Sequence, residues 1–130
     1  MIYLSDVRDF IDSLHFSEHV YSGKLDNKPE ESIGVYNNKT GTPPQKSVSS
    51  ASYSVKRISL LVHWNESQRE TERKAYEIYE AVKAVRMAAV NNTKILFTEM
   101  ETDEPVDVST DDNGIYEMVI NFKLYYERQV

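Results

Sequence analysis

Three histidines are the first residues in this chain with the chemistry to hold a metal or move a proton: His15, His19 and His63. His15 and His19 stand four apart, a spacing that puts two ligands on one helix face only if a single helix carries both. The helical pattern of "SDVRDFIDSL" stops near Leu14 and a strand-like run begins by Val20. The pair is therefore not read as a metal site, and His15 reads as a helix C-terminal residue favoured by the dipole. His63 lies beside Trp64 in a strand pattern with no ligand near it in sequence, so alternation predicts an imidazole on the wet face. There is no cysteine, which removes thiolate metal sites, disulfides and a cysteine nucleophile. No Gly-x-Ser-x-Gly elbow gives a serine an activating context. The four glycines, at 23, 34, 41 and 114, are too scattered to cradle a phosphate. "DVSTDDNG" has carboxylates and a glycine but not the alternating oxygen ligands and closing Glu of a calcium loop, so it reads as a solvated acidic hairpin. No catalytic, cofactor-binding or metal-binding residue is assigned, no cofactor is expected, and no enzyme activity is expected.

Charge points the same way. The 130 residues carry 21 acids against 15 bases, a net −6, a poor balance for gripping phosphates. Glu99 to Asp112 holds Glu99, Glu101, Asp103, Glu104, Asp107, Asp111 and Asp112 with no Lys or Arg among them; one face or edge of the fold should be strongly negative. No apolar run is long enough to span a bilayer, so no membrane partner is expected. The N-terminus lacks the basic-then-apolar order of a signal peptide.

The elements that would position these side chains follow from periodicity. Val7, Phe10, Ile11 and Leu14 make a short amphipathic helix capped by Ser5 or Asp6. Residues 18–25 and 32–37 are β-rich runs around Asp26-Asn27-Lys28-Pro29 and read as a hairpin. From Tyr53 to Trp64 a strand places Ile58, Leu60, Val62 and Trp64 on one face, with a bulge or bend expected near Lys56-Arg57. Ser67-x-x-Glu70 then opens a long helix whose apolar stripe is Ala75, Ile78, Tyr79, Val82, Val85 and Ala89, ending at Asn91-Asn92. "TKILFTEM" is a strand, and Asp112-Asn113-Gly114 is a tight-turn signal before the last one. That last strand alternates Tyr116, Met118, Ile120, Phe122, Leu124 and Tyr126 with polar residues, giving a core face and a wet face.

This order predicts a single α+β domain over 1–130: a mostly antiparallel or mixed sheet with one long and one short helix packed on one face. A polar loop over 37–52 protrudes from it, expected to be mobile. Pro43-Pro44 stiffens its middle, and Lys39 and Lys46 make it basic in an acidic protein. Nine tyrosines are many for the length, and Tyr53, Tyr125, Tyr21 and Tyr36 fall beside loops or opposite the core. Tyrosine suits protein interfaces because it adds large area with one polar tip.

"VYSGKLDNKPEESIGVYNN" over 20–38, the order of elements after it and the closing "YEMVINFKLYYER" together resemble the small minor capsid and tail-terminator proteins of long-tailed bacteriophages and prophages. The resemblance implies a virion protein of the tail or neck, assembled in the host cytoplasm. It would form a homohexameric ring that ends tail-tube polymerisation and joins the tail to the head connector. Its partners would be itself, the tail tube protein and a neck protein, with DNA passing through the lumen without specific binding. Six copies at −6 each would carry about −36, and an acidic lumen repels phosphates. Glu99, Glu101, Asp103, Glu104, Asp107, Asp111, Asp112, Glu117 and Glu127 are the candidate lumen acids. Lys39, Pro43, Pro44 and Lys46 form the candidate assembly arm. A head-completion or stopper protein of the same neck would look much the same; a small non-viral α+β ligand-binding domain is the rival from another class, and it would need a concave pocket with convergent polar groups.

Overall fold

The computed structural model describes residues 2–23, 30–38 and 53–127. In chain order the elements are α1 (Leu4–Asp12), β1 (His19–Ser22), β2 (Ser32–Asn37), β3 (Tyr53–His63), α2 (Gln68–Lys83), β4 (Arg86–Val90), β5 (Thr93–Met100), β6 (Val106–Thr110) and β7 (Tyr116–Glu127). All seven strands join one sheet in the order β1-β2-β3-β7-β5-β4, with β6 also paired to β7. The expected α+β class is overturned: the chain is mostly β, with two helices and a mixed sheet curled into a half-barrel. Two stretches not counted as strands account for the shift. The apolar pattern through Val90 looks helical, but α2 stops at Lys83 and Arg86–Val90 pairs antiparallel with β5. In the acidic run, Val106–Thr110 pairs antiparallel with β7.

β7 is the spine. Along one edge it pairs continuously with β3, from Tyr53↔Glu127 to His63↔Glu117. Along the other it meets β6 at its start and β5 at its end. No bulge interrupts β3 near Lys56-Arg57 in its pairing with β7; the register shifts lie in β5 between Ile95 and Phe97 and in β6 between Asp107 and Thr110. The expected hairpin is also corrected. β1 and β2 run parallel, His19↔Ser32 to Ser22↔Val35, because a hydrophobic pattern specifies which face a strand buries but not its direction. This pair makes the sheet mixed. The turn residues 26–29 assigned to that hairpin lie outside the described residues, with residues 24 and 25 of the run before them.

One face of the sheet is the core face. Val20, Ile33, Val35, Ile58, Leu60, Val62, Ile95, Ile120, Phe122 and Leu124 are buried there with Val7, Phe10 and Ile11 of α1 and Ala75, Ile78 and Val82 of α2. α2 starts where its capping signal falls: the Glu70 N–H donates to Ser67 Oγ at 3.3 Å. α1 starts at Leu4, earlier than expected, and the Asp6 carboxylate accepts the Tyr3 N–H at 2.8 Å. α2 lies on β7, β5 and β3, whereas α1 touches β1, β2 and also β4. Those strands are at opposite ends of the sheet order, so α1 can reach both only because the sheet curls. Asn91, in the β4–β5 turn, clasps this closure by donating to Asp6 at 2.9 Å and Asp9 at 2.7 Å.

Candidate functional site

The face of the sheet turned away from the helices carries most of the polar and aromatic side chains singled out by sequence. Because β3 and β7 pair without a shift, their odd-numbered residues stand opposite one another in a ladder. Near its middle Ser59 donates to Asn121. Arg57 reaches across to Glu101 with a bidentate pair, Nε–Oε1 2.7 Å and Nη2–Oε2 3.1 Å. That hydrogen bonding, together with the carboxylate's charge, holds the guanidinium above its ordinary pKa. Lys123 sits 3.6 Å from Glu99. At the far end Tyr53 and Phe97 flank Tyr125, with ring centroids 5.8 Å and 4.4 Å away. Burial, reinforced by Glu99, raises the Tyr125 phenol above its usual range. Tyr36, Leu61 and Val119 line a shallow apolar groove of about 440 Å3 with Ser59. Burial, then the charge of Glu117, raises the Tyr36 pKa.

The near end corrects the reading of His63. It is not a wet-face imidazole: its side chain is 5% exposed, with Nδ1 2.8 Å from Glu117 Oε2 and 3.7 Å from Asp111 Oδ2. Glu117 is its direct partner across the β3–β7 ladder, and Asp111 arrives from the β6–β7 turn. Asp111 is held there because its Oδ1 accepts the N–H groups of Asn113 and Ile115, both at 2.9 Å. Strand alternation placed His63 on the correct face; only the long-range turn that covers it was invisible.

The nine candidate lumen acids do not fall on one surface of the subunit. Glu99, Glu101 and Glu117 stand on the open face, each beside a base: Lys123, Arg57 and His63. Asp111 joins Glu117. Asp103 and Glu104 lie in the β5–β6 connection near α2, where Tyr76 donates to Glu104 at 3.0 Å and Tyr79 to the Thr102 carbonyl at 2.6 Å. Asp107 is on β6 and accepts the Ser109 N–H at 2.8 Å. Asp112 is exposed in the turn, and Glu127 closes β7 at the other end. The arm residues Lys39, Pro43, Pro44 and Lys46 lie outside the described residues, as does all of the expected loop except Asn37 and Asn38.

α1 ends at Asp12, so no single helix carries both His15 and His19; they border an open cleft of about 800 Å3 with Glu31 and Trp64. Lys74 sits over the Trp64 ring at 5.2 Å there. Among the described residues no helix is long and apolar enough to cross a membrane.

Beyond the open face, β6 offers an edge. All five of its residues are exposed, with Val106 at 40% and Val108 at 43%. The outermost strands are treated differently. α1 lies against both β1 and β4, and Arg8 Nε donates to the Val20 carbonyl on β1 at 2.9 Å. Among the described residues, then, one sheet face is covered by the two helices, the other carries no helix, and β6 is an exposed edge strand.

The chain belongs to the bacteriophage tail terminator family: the family model described as "Bacteriophage tail terminator protein" matches residues 6–128. It is therefore a structural component of a phage tail and of the virion. A search of curated proteins finds no significant match. Among solved structures, one with no functional name aligns over 97% of this chain and 89% of its own, at 13% identity and a TM-score of 0.43, too remote to inform fold or function.

Proposed function

We propose that the protein forms a closed ring of six identical subunits at the head-proximal end of the tail, stopping tube polymerisation and presenting the face that docks the head connector. The observation that carries this reading, beside family membership, is β6: an edge strand exposed along its whole length in a sheet whose outermost strands both lie against α1. Heterologous contact between one copy's edge and another surface of the next generates a ring if the rotation closes. Main-chain hydrogen bonds give such a contact affinity, and alternate side chains give it specificity. DNA crosses the lumen without specific contacts, in keeping with a subunit charge of −6. The segment carrying Lys39 and Lys46 serves as the arm that reaches a neighbour or the tail tube.

Light scattering on the purified chain, alone and mixed with isolated uncapped tails, tests the reading. The expected result is a hexamer, free or on tails, and tails that no longer elongate. Val106→Asp combined with Val108→Asp alters only exposed side chains, so the subunit should stay folded while ring and capping are lost. Tails that elongate unchecked would overturn the terminator role, and a hexamer that survives the double substitution would overturn the β6 contact.

A further inference from the structure

We propose that His63, Asp111 and Glu117 form a binding site for one divalent first-row transition ion, with zinc as its natural probe. The three side chains come from separate elements, β3, the β6–β7 turn and β7, yet one ligand atom from each lies within 4.8 Å of the other two. His63 Nδ1 is 2.8 Å from Glu117 Oε2 and 3.7 Å from Asp111 Oδ2. Around a tetrahedral zinc with bonds of about 2.0–2.2 Å, neighbouring ligand atoms stand roughly 3.4 Å apart. The two separations from His63 Nδ1 bracket that spacing.

Chemistry selects the ion. One imidazole nitrogen with two carboxylate oxygens suits zinc and its first-row neighbours, whereas calcium and magnesium take all-oxygen shells. The site is also built rather than accidental. Asp111 is aimed by two backbone N–H groups on its other oxygen, leaving Oδ2 towards His63. Glu117 is fixed by strand pairing directly opposite His63. The side chains are 5%, 25% and 17% exposed for His63, Asp111 and Glu117. Two half-buried carboxylates and one imidazole make a mixed nitrogen and oxygen donor set that suits such an ion. The bound ion would tie the β6–β7 turn to β3, fixing the edge strand that the proposed ring contact uses.

Titration calorimetry of the untagged full chain with zinc chloride, after chelator stripping, tests the site. One ion per chain is expected. At about a hundredfold excess over Kd, the Tm should rise by roughly 10 °C. Asp111→Asn keeps the Oδ1 acceptor and with it the turn, so it should fold and yet bind at least about tenfold more weakly. Glu117→Gln should do the same. The double variant His15→Asn with His19→Asn removes the other imidazoles and should bind as the parent does. Saturation only at millimolar zinc, affinity unchanged in both Asp111→Asn and Glu117→Gln, or binding lost with His15 and His19 would each overturn the proposal.

Discussion

Phe122 and Phe97 are the same residue type on neighbouring strands, and the half-barrel assigns them opposite fates. Phe122, in the middle of β7, is fully buried between the sheet and the helices; Phe97, on β5, is 38% exposed on the open face. Phe122→Ala removes a ring from a closed core, where such truncations cost about 3–5 kcal/mol, transfer and cavity together. At about 2.1 cal/mol/K per residue, a chain of this length has an unfolding entropy near 0.27 kcal/mol/K, so the Tm should drop by roughly 11–18 °C. Phe97→Ala loses partial burial, worth about 1–2 kcal/mol, and its stacking on Tyr125, worth about 0.5–1.5 kcal/mol; the drop should stay near 6–13 °C. Thermal and urea unfolding of both variants, at a concentration where the parent is monomeric, gives the comparison. Equal losses, or a larger loss at Phe97, would mean that the helices cover the other face and that the inside–outside assignment of the sheet is wrong.

Two further outcomes follow from local geometry. The Asn91 hydrogen bond, then Arg8, holds the Asp9 carboxyl below its ordinary value of 3.8. A depressed carboxyl contributes stability that is present above its unfolded pKa and lost as pH falls through the folded one. Asn91→Ala should therefore flatten the decline in Tm below about pH 4, and an NMR titration of Asp9 that does not move upward would refute the clasp. Gly114 has φ +80° in the β6–β7 turn, so Gly114→Ala should cost about 1–2 kcal/mol through left-handed strain alone, since a Cβ there meets nothing within 4 Å; denaturant midpoints would show it.

Much of this architecture could be read in the residues themselves, and the failures have physical causes. β7 and β3 were legible because each buries alternate side chains on one face, which is what period 2 reports. Ser67 announced α2, and Asp112-Asn113-Gly114 announced the turn into β7. β4 was not legible: "AVRMAAV" continues an apolar spacing of helical type and is rich in Ala, so local propensity favoured helix while pairing with β5 decided for strand. Met87 takes φ +53° there, a left-handed conformation that the helical pattern does not anticipate. β6 was hidden for the opposite reason, since a strand exposed at every residue has no buried face to create a pattern. The parallel β1–β2 pair eluded periodicity, which does not encode direction. The acids were identified by composition, but composition does not say which pair with Arg57, Lys123 or His63; that depends on registers across β3, β5 and β7.

The position of β7 as spine also governs how the chain comes together in time. β3 and β5 have no strand between them until Tyr116–Glu127 inserts, and the outermost β3 pair, Tyr53 with Glu127, spans 74 positions of sequence. Closing loops of that size before any reward from pairing makes folding slow relative to a helical bundle of the same length. Until the last strand arrives, β3 shows an open edge on a hydrophobic face, the kind of surface through which nascent β proteins associate wrongly. Production of this protein should therefore be limited by its final dozen strand residues, and substitutions in β7 should depress soluble yield more than equally destabilising ones in α1.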